Sequence, residues 1–203
     1  MSNRFSRHGI LFVISAPSGA GKTTVVQALR KTGKFFYSVS CTTRATRPGE
    51  IDGEHYRFLS VGDFHAQIDA GDFLEYAKVH QDLYGTLRQP VLTNLQNGID
   101  VLIDIDTQGA ATIRNCDDPI IRQSLADIFI MPPDVQELRR RLMKRATETP
   151  QQIESRLATA MREMELWRDY RYTIVSGSVE EDLENVRNIM SAEAFLSRRL
   201  TLN

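Results

Sequence analysis

Two kinds of group in this sequence could do chemistry on phosphate. The run Ala16-Pro17-Ser18-Gly19-Ala20-Gly21-Lys22-Thr23-Thr24 places an ammonium and a hydroxyl directly after two glycines. Gly19 and Gly21 let the backbone take left-handed or close-approach conformations, so successive N–H groups can point inward at phosphate oxygens beside the positive end of a following helix. Lys22 would add a mobile positive charge on the outer phosphates, and the Thr23 hydroxyl a ligand for magnesium. The usual leading glycine of such a loop is Ala16 here, a small replacement that a negative φ accommodates. Arginines are the second kind of group. Arg44 and Arg47 stand three apart with no matching acids beside them, and the planar guanidinium fork fits a phosphate best. Arg139-Arg140-Arg141, Lys144-Arg145 and Arg156 gather positive charge around the polar turn Ala146-Thr147-Glu148-Thr149-Pro150, as a mobile lid over phosphates would. The alternative there is a solvated basic hairpin paired with Glu137, Glu148 and Glu154. Asp104 and Asp106, separated by Ile105, alternate at strand period and so point to one side. At the end of a central strand they would support magnesium directly or through water, a role compatible with capping a helix that starts near Gln108.

These groups need a scaffold, and the pattern around them supplies one. Residues 10–14 are a buried-strand run, and Val25, Val26 and Leu29 repeat at helical spacing just after the glycine loop. An ordinary glycine-rich turn competes with the phosphate loop, but strand, Gly-Lys-Thr end and helix coincide against it. The helix should stop near Gly33. Short strands are expected at 56–60, 73–79 and 83–86 with a brief helix over 61–70, which makes residues 39–97 a small β-rich insertion. A helix over 87–97 closed by Gly98 leads to the apolar run 99–103, the pattern of a parallel strand buried on both faces. Strand 126–131, two helices meeting at the polar turn, strand 172–175 and a helix over 179–196 complete the chain. Strands alternating with helices predict an α/β fold: a P-loop NTPase-type parallel sheet flanked by helices, with the β-rich insertion and a helical lid. Residues 1–8 read as a loose polar lead-in, so the fold should begin near Gly9.

Composition narrows the function. A chain of 203 residues buries one good core with inserted lobes, and a net charge of −1 gives no broad attraction to nucleic acid. Cys41 and Cys116 show neither metal-ligand nor redox spacing, and no stretch approaches a signal or membrane span. A reduced, soluble, cytoplasmic protein without nucleic-acid or membrane partners is expected, of unknown oligomeric state. The four histidines are scattered and are given no chemistry.

Several stretches together carry a more specific likeness. The loop at 15–23, Ser40-Cys41-Thr42-Thr43-Arg44, Arg47-Pro48-Gly49-Glu50, Gly53-Glu54-His55-Tyr56, Phe73-Leu74-Glu75-Tyr76, Tyr84-Gly85-Thr86 and Asp104-Ile105-Asp106-Thr107-Gln108-Gly109 resemble the guanylate kinases in order and spacing, from residue 10 to about 190. The resemblance implies ATP as phosphoryl donor with Mg²⁺ and GMP as acceptor. It also implies that Ser40, Arg44, Arg47, Tyr56, Glu75, Tyr84, Thr86 and Asp106, with Asp104 at the same strand end, line the GMP pocket. Glu75, with Ser40 and Thr86, would face the base, and Arg145 and Arg156 would be lid arginines reaching ATP. The residue chemistry agrees, since a carboxylate accepts only and can take both N1–H and the exocyclic amine of guanine, whereas adenine has no proton on N1. Thr86 stands where serine is frequent, Ala146 where glycine often follows the lid arginine, and Ser176-Gly177 where Asn-Asp is frequent near adenine. The expected organisation is a core of 9–38, 98–135 and 165–203, a GMP-binding insertion at 39–97 and a lid at 136–164. Lys22, Arg44, Arg145 and Arg156 would act on the transferring phosphoryl. The alternatives are another nucleoside-monophosphate kinase, or a non-catalytic guanylate-kinase-like module that binds a phosphopeptide.

Overall fold

In the computed structural model, which describes residues 5–79, 81–143 and 150–202, the chain forms β1 (Phe5–Ser6), β2 (Leu11–Ser15), α1 (Lys22–Thr32), β3 (Phe36–Tyr37), β4 (Cys41–Thr42), β5 (Arg57–Phe58) and α2 (Val61–Asp69). Then come β6 (Phe73–Val79), β7 (Asp82–Leu87), α3 (Arg88–Gln96), β8 (Val101–Asp104), α4 (Thr107–Arg114), α5 (Pro119–Ser124) and β9 (Leu125–Met131). The chain finishes with α6 (Val135–Met143), α7 (Pro150–Met164), β10 (Tyr172–Val175), α8 (Val179–Ala194) and β11 (Thr201–Leu202).

β2 is apolar except at its last residue, and every one of its residues is fully buried. Such a strand is stable only with helices on both faces. Phe12 and Ile14 pack with Val25, Val26 and Leu29 of α1 and Val186 of α8; Leu11 and Val13 pack on the other face with Val91 and Leu95 of α3 and Ala110 and Ile113 of α4. Each such side chain contributes about 1.5–3 kcal/mol on burial, so the loop that leaves β2 starts from the firmest part of the molecule. β2 pairs in parallel with β8 and β9 in a five-stranded sheet ordered β10-β9-β2-β8-β3. The parallel sheet expected from the sequence is therefore present, and the carboxyl ends of β2 and β8 lie side by side.

A second sheet, ordered β5-β4-β7-β6, is built from the stretch expected to be β-rich. Its apolar side holds Cys41, Phe64 and Phe73, with the Phe64 and Phe73 rings stacked at 4.5 Å. Leu138 and Leu142 of α6 pack with Leu157 and Ala160 of α7 in a separate small cluster.

One expectation at the level of elements is corrected, and two features had no signal in the sequence. The lead-in is not loose from Phe5 onward: β1 pairs antiparallel with β11, and Arg7 forks onto Asp100 at 2.6 and 3.0 Å. Asp100 also accepts from the Ile10 N–H at 2.9 Å, so it fixes the entry to β2. The carboxyl end is tied down by fully buried Glu193, which accepts from the Tyr172 hydroxyl and from Arg171 and Arg199. Finally, α5, capped by Asp118, was not foreseen; its six residues are too few to show a helical period.

Candidate active site

The loop between β2 and α1 has the backbone that its glycines allow. Gly19 has φ 93° and Gly21 φ 100°, both in the left-handed region, and Gly21 begins α1 without any side-chain cap. The first amides of α1 thus have no side chain competing for them, which is the arrangement that receives an anion. Gly19 is also held close, since a Cβ there would come within 2.7 Å of Leu142 Cδ2. Ala16 is buried in the core, so the departure from a leading glycine is absorbed by packing.

Lys22 reaches across to the end of β8. Its ammonium lies 2.6 Å from Asp104 Oδ1 and donates to the Ile105 carbonyl at 2.5 Å. Asp104 ends β8, whereas Asp106 has left the strand and caps α4 by accepting from the Gly109 N–H at 2.8 Å. The two carboxylates therefore line one cleft, but by a strand end followed by a helix start rather than by strand alternation. The cleft occupies about 1200 Å³, more than the roughly 1,000 Å³ upper range of single small-ligand pockets. Among its lining residues are Ser18, Lys22, Thr23, Ser40, Arg47, Tyr56, Glu75, Tyr84, Asp104, Asp106 and Arg156.

Glu75, only 4 % exposed, lines the same cleft. The register of β6 against β7 shifts between Phe73 and Glu75, so a bulge at Leu74 turns Glu75 to face Thr86. The Thr86 hydroxyl donates to Glu75 Oε1 at 2.6 Å. Burial pushes the Glu75 carboxyl up to about 7; the Thr86 hydrogen bond opposes that rise and the nearby Asp106 charge adds to it. Ser40 is buried on the adjoining β4 entry.

The arginines divide. Arg44 is not without an acid: Glu50 folds back through the Pro48-Gly49 turn and accepts from both its terminal nitrogens at 2.7 and 3.1 Å. The expectation of unpaired arginines fails because a pairing six residues away across a turn has no periodicity to betray it. Hydrogen bonds from Arg44, then from the Arg47 N–H, hold the Glu50 carboxyl down at about 2. The Arg44 guanidinium lies 5.4 Å from the Tyr56 ring centroid, and Tyr56 meets Tyr84 edge to face at 5.8 Å. Arg47 is exposed at the cleft wall. Arg156 of α7 donates to the Ser18 hydroxyl at 2.8 Å, so one expected lid arginine touches the phosphate loop. Arg145 and Ala146 lie outside the described residues.

Sequence reading missed two groups on the same loop. Arg141 donates to the Ala20 carbonyl at 2.7 Å and to the Ser176 hydroxyl at 3.1 Å, and Glu163 accepts from the Ser18 N–H at 3.0 Å. In the sequence Arg141 belongs with Arg139 and Arg140 to one basic run. Those two pair with Glu154 and Glu137, as the solvated-hairpin alternative has it. Arg141 also pairs with Glu137, and only the roughly 100° by which each residue advances around the helix turns its guanidinium toward the loop.

A family model described as guanylate kinase matches residues 8–193. The chain belongs to the guanylate kinase family. The enzyme is accordingly a phosphotransferase, and it is 44 % identical over 194 residues to a guanylate kinase of Chelativorans sp., covering 95 % of this chain and 87 % of that protein. A guanylate kinase of Paramagnetospirillum magneticum is 42 % identical over 96 % of this chain and 89 % of its own. The crystal structure of guanylate kinase from Anaplasma phagocytophilum superposes with a TM-score of 0.81 at 32 % identity, covering 97 % of this chain and 92 % of that one. Nothing in these comparisons favours the non-catalytic module.

Proposed function

We propose that this kinase moves the γ-phosphoryl of ATP onto GMP within this cleft, with ATP phosphates on the loop 16–24 and the guanine on Glu75. The observation that carries the reading is that one cleft is lined both by the glycine loop with Lys22 and Thr23 and by the buried carboxylate of Glu75. The loop amides and Lys22 hold the donor phosphates, while Arg44, Arg47, Tyr56 and Tyr84 hold the GMP phosphate opposite them. Glu75 accepts from N1–H and the exocyclic amine of guanine, with Ser40 and Thr86 beside it. Arg145 and Arg156, carried on the lid, complete the charge around the transferring phosphoryl. Catalysis is then positioning plus charge stabilisation, and no covalent intermediate on the protein is called for.

The donor set between α1 and β8 is all oxygen, namely the Thr23 hydroxyl and the Asp104 and Asp106 carboxylates, which suits Mg²⁺ held by one or two protein groups and by phosphates. Thr23 would bind the ion, with the aspartates acting through water. Bound there, Mg²⁺ neutralises charge on the β- and γ-phosphates.

We divide the chain for this purpose into the core (9–38, 98–135 and 165–203), the GMP-binding insertion (39–97) and the lid (136–164). Closure of the last two over the core would keep water from the phosphoryl group, which would otherwise be hydrolysed. The contact of Arg156 with Ser18 supports that part. The same reading puts the enzyme in the cytoplasm with its two nucleotides and without nucleic-acid partners; none of the described helices is long and apolar enough to cross a membrane. A coupled assay of ADP production with GMP, AMP, UMP and CMP tests the whole. GMP should be turned over at least about 10⁴-fold more efficiently than AMP, as a site built around a hydrogen-bonding group discriminates. Equal rates with AMP would refute it.

A further inference from the structure

We infer that Gly109 is a positioning residue for base recognition: its missing side chain is what lets the Glu75 carboxylate seat itself between Thr86 and the first turn of α4. The inference rests on the reading of Glu75 as the group that faces guanine.

Glu75 has two oxygens to place. Oε1 is fixed by the Thr86 hydroxyl on the neighbouring strand. Oε2 points the other way, at Gly109, where a Cβ would stand 2.6 Å from Oε2 and 3.1 Å from Glu75 Cδ. Real Cβ atoms do not approach an oxygen that closely, so a side chain at 109 would displace the carboxylate. Glu75 is itself only 4 % exposed and is held at Oε1 by the Thr86 hydroxyl, so the shift that a Cβ at 109 forces strains that bond or swings the carboxylate toward the cleft.

Backbone conformation does not explain this glycine. Gly109 is not among the glycines with positive φ, and it lies within a helix where alanine is favoured by about 1 kcal/mol. The position therefore sacrifices helix propensity, and the carboxylate of Glu75 is the contact that requires it. Gly109 also donates its N–H to Asp106 Oδ1 at 2.8 Å. One residue thus sets both the cap that aims Asp106 and the floor on which Glu75 rests.

The test is the kinetics of Gly109→Ala, with Glu75→Gln and Glu75→Asp measured beside it. Gly109→Ala should raise KM for GMP by about tenfold or more and leave KM for ATP within about twofold, because only the acceptor-side carboxylate moves. A folded Gly109→Ala whose GMP KM stays within about twofold of wild type, or whose two KM values rise together, overturns the inference. Shortening the side chain by one methylene in Glu75→Asp withdraws the carboxylate from position 109. In that background Gly109→Ala should cost less than about twofold, a coupling that a purely structural role would not produce; additive losses overturn it. If Gly109→Ala does not fold but Gly109→Ala/Glu75→Asp does, the clash is with Glu75 as inferred. If neither folds, the glycine serves packing against Ile105, whose Cδ1 lies 3.3 Å from where a Cβ would stand, and the inference fails. Should Glu75→Gln leave GMP kinetics untouched, the reading of Glu75 falls first and the role of Gly109 falls with it; loss in Glu75→Gln without loss in Gly109→Ala sinks the inference alone.

Discussion

In the proposed reading, the phosphate loop and the buried carboxylate of the cleft would bind their groups by opposite means. At the phosphate end the charged side chains are partly wet and already paired: Lys22 with Asp104, each with under a fifth of its side chain exposed, and Arg44 with Glu50. At the base end one carboxylate is sealed off and has the Thr86 hydroxyl as its side-chain partner. Paired charges can be handed from an internal partner to an arriving phosphate with little loss. A buried carboxylate with unfilled acceptor capacity stays costly until a ligand donates to it. The phosphate end should therefore govern rate, and the base end selectivity.

Four substitutions and conditions sharpen or break that contrast. Lys22→Ala should have the largest effect, lowering kcat about 100-fold or more by removing the charge contact proposed to the transferring phosphoryl, with circular dichroism unchanged. A folded variant keeping half of the wild-type kcat would break the assignment of rate to this end.

Next comes pH. In its proposed role the ionised Glu75 would accept from both guanine donors, so kcat/KM for GMP should fall about tenfold per unit as pH drops below about 7. GMP's own phosphate titrates near 6, so the diagnostic is the difference from Glu75→Gln, which should lack the limb assigned to the carboxylate. Identical profiles would show that Glu75 does not titrate in the free enzyme.

Stability moves in the opposite sense. A carboxyl whose native value is raised from 4.5 to about 7 keeps its proton in the folded state over that window. Its contribution is fully present below about pH 4.5 and is lost as pH rises through about 7. Glu75→Gln should consequently raise Tm by several degrees at pH 8, up to about 3 kcal/mol, and by little at pH 4. A lower Tm at pH 8 would mean the buried charge is better compensated than its surroundings indicate.

The smallest effect is expected at Glu50. Glu50→Gln keeps one acceptor for Arg44 but loses the charged fork, and should raise KM for GMP about three- to tenfold while sparing KM for ATP. No change in either would show that Arg44 needs no internal partner to meet the GMP phosphate.

The same contrast explains what could be read from the sequence. The phosphate loop is contiguous, and its glycines, lysine and flanking strand and helix announce it within a dozen residues. The parallel sheet was legible because β2 and β8 are apolar along their buried lengths. Glu75 could be singled out by likeness to a family, but not its environment. The bulge at Leu74, the Thr86 partner and the Gly109 floor come from three separate elements, and no local pattern ties them together. Arg44 was misread for a related reason: its partner Glu50 is brought back by a turn. The same holds for Arg7 with Asp100 and for β1 with β11, where chain ends distant in sequence meet. Arg141 and Glu163 were missed because their value lies in reaching Ser18 and Ala20 from the helices above the loop.

The central claim, that selectivity resides in the buried carboxylate and not in the phosphate loop, is tested most directly by the ratio of kcat/KM for GMP to that for AMP in wild type and in Glu75→Gln. The ratio should collapse by about 10- to 100-fold or more, through loss of GMP turnover with KM for ATP unchanged, since a charge-assisted hydrogen bond contributes about 1.5–3 kcal/mol. An unchanged ratio in a folded variant would contradict the account and move base reading to Ser40, Thr86 or Asp106.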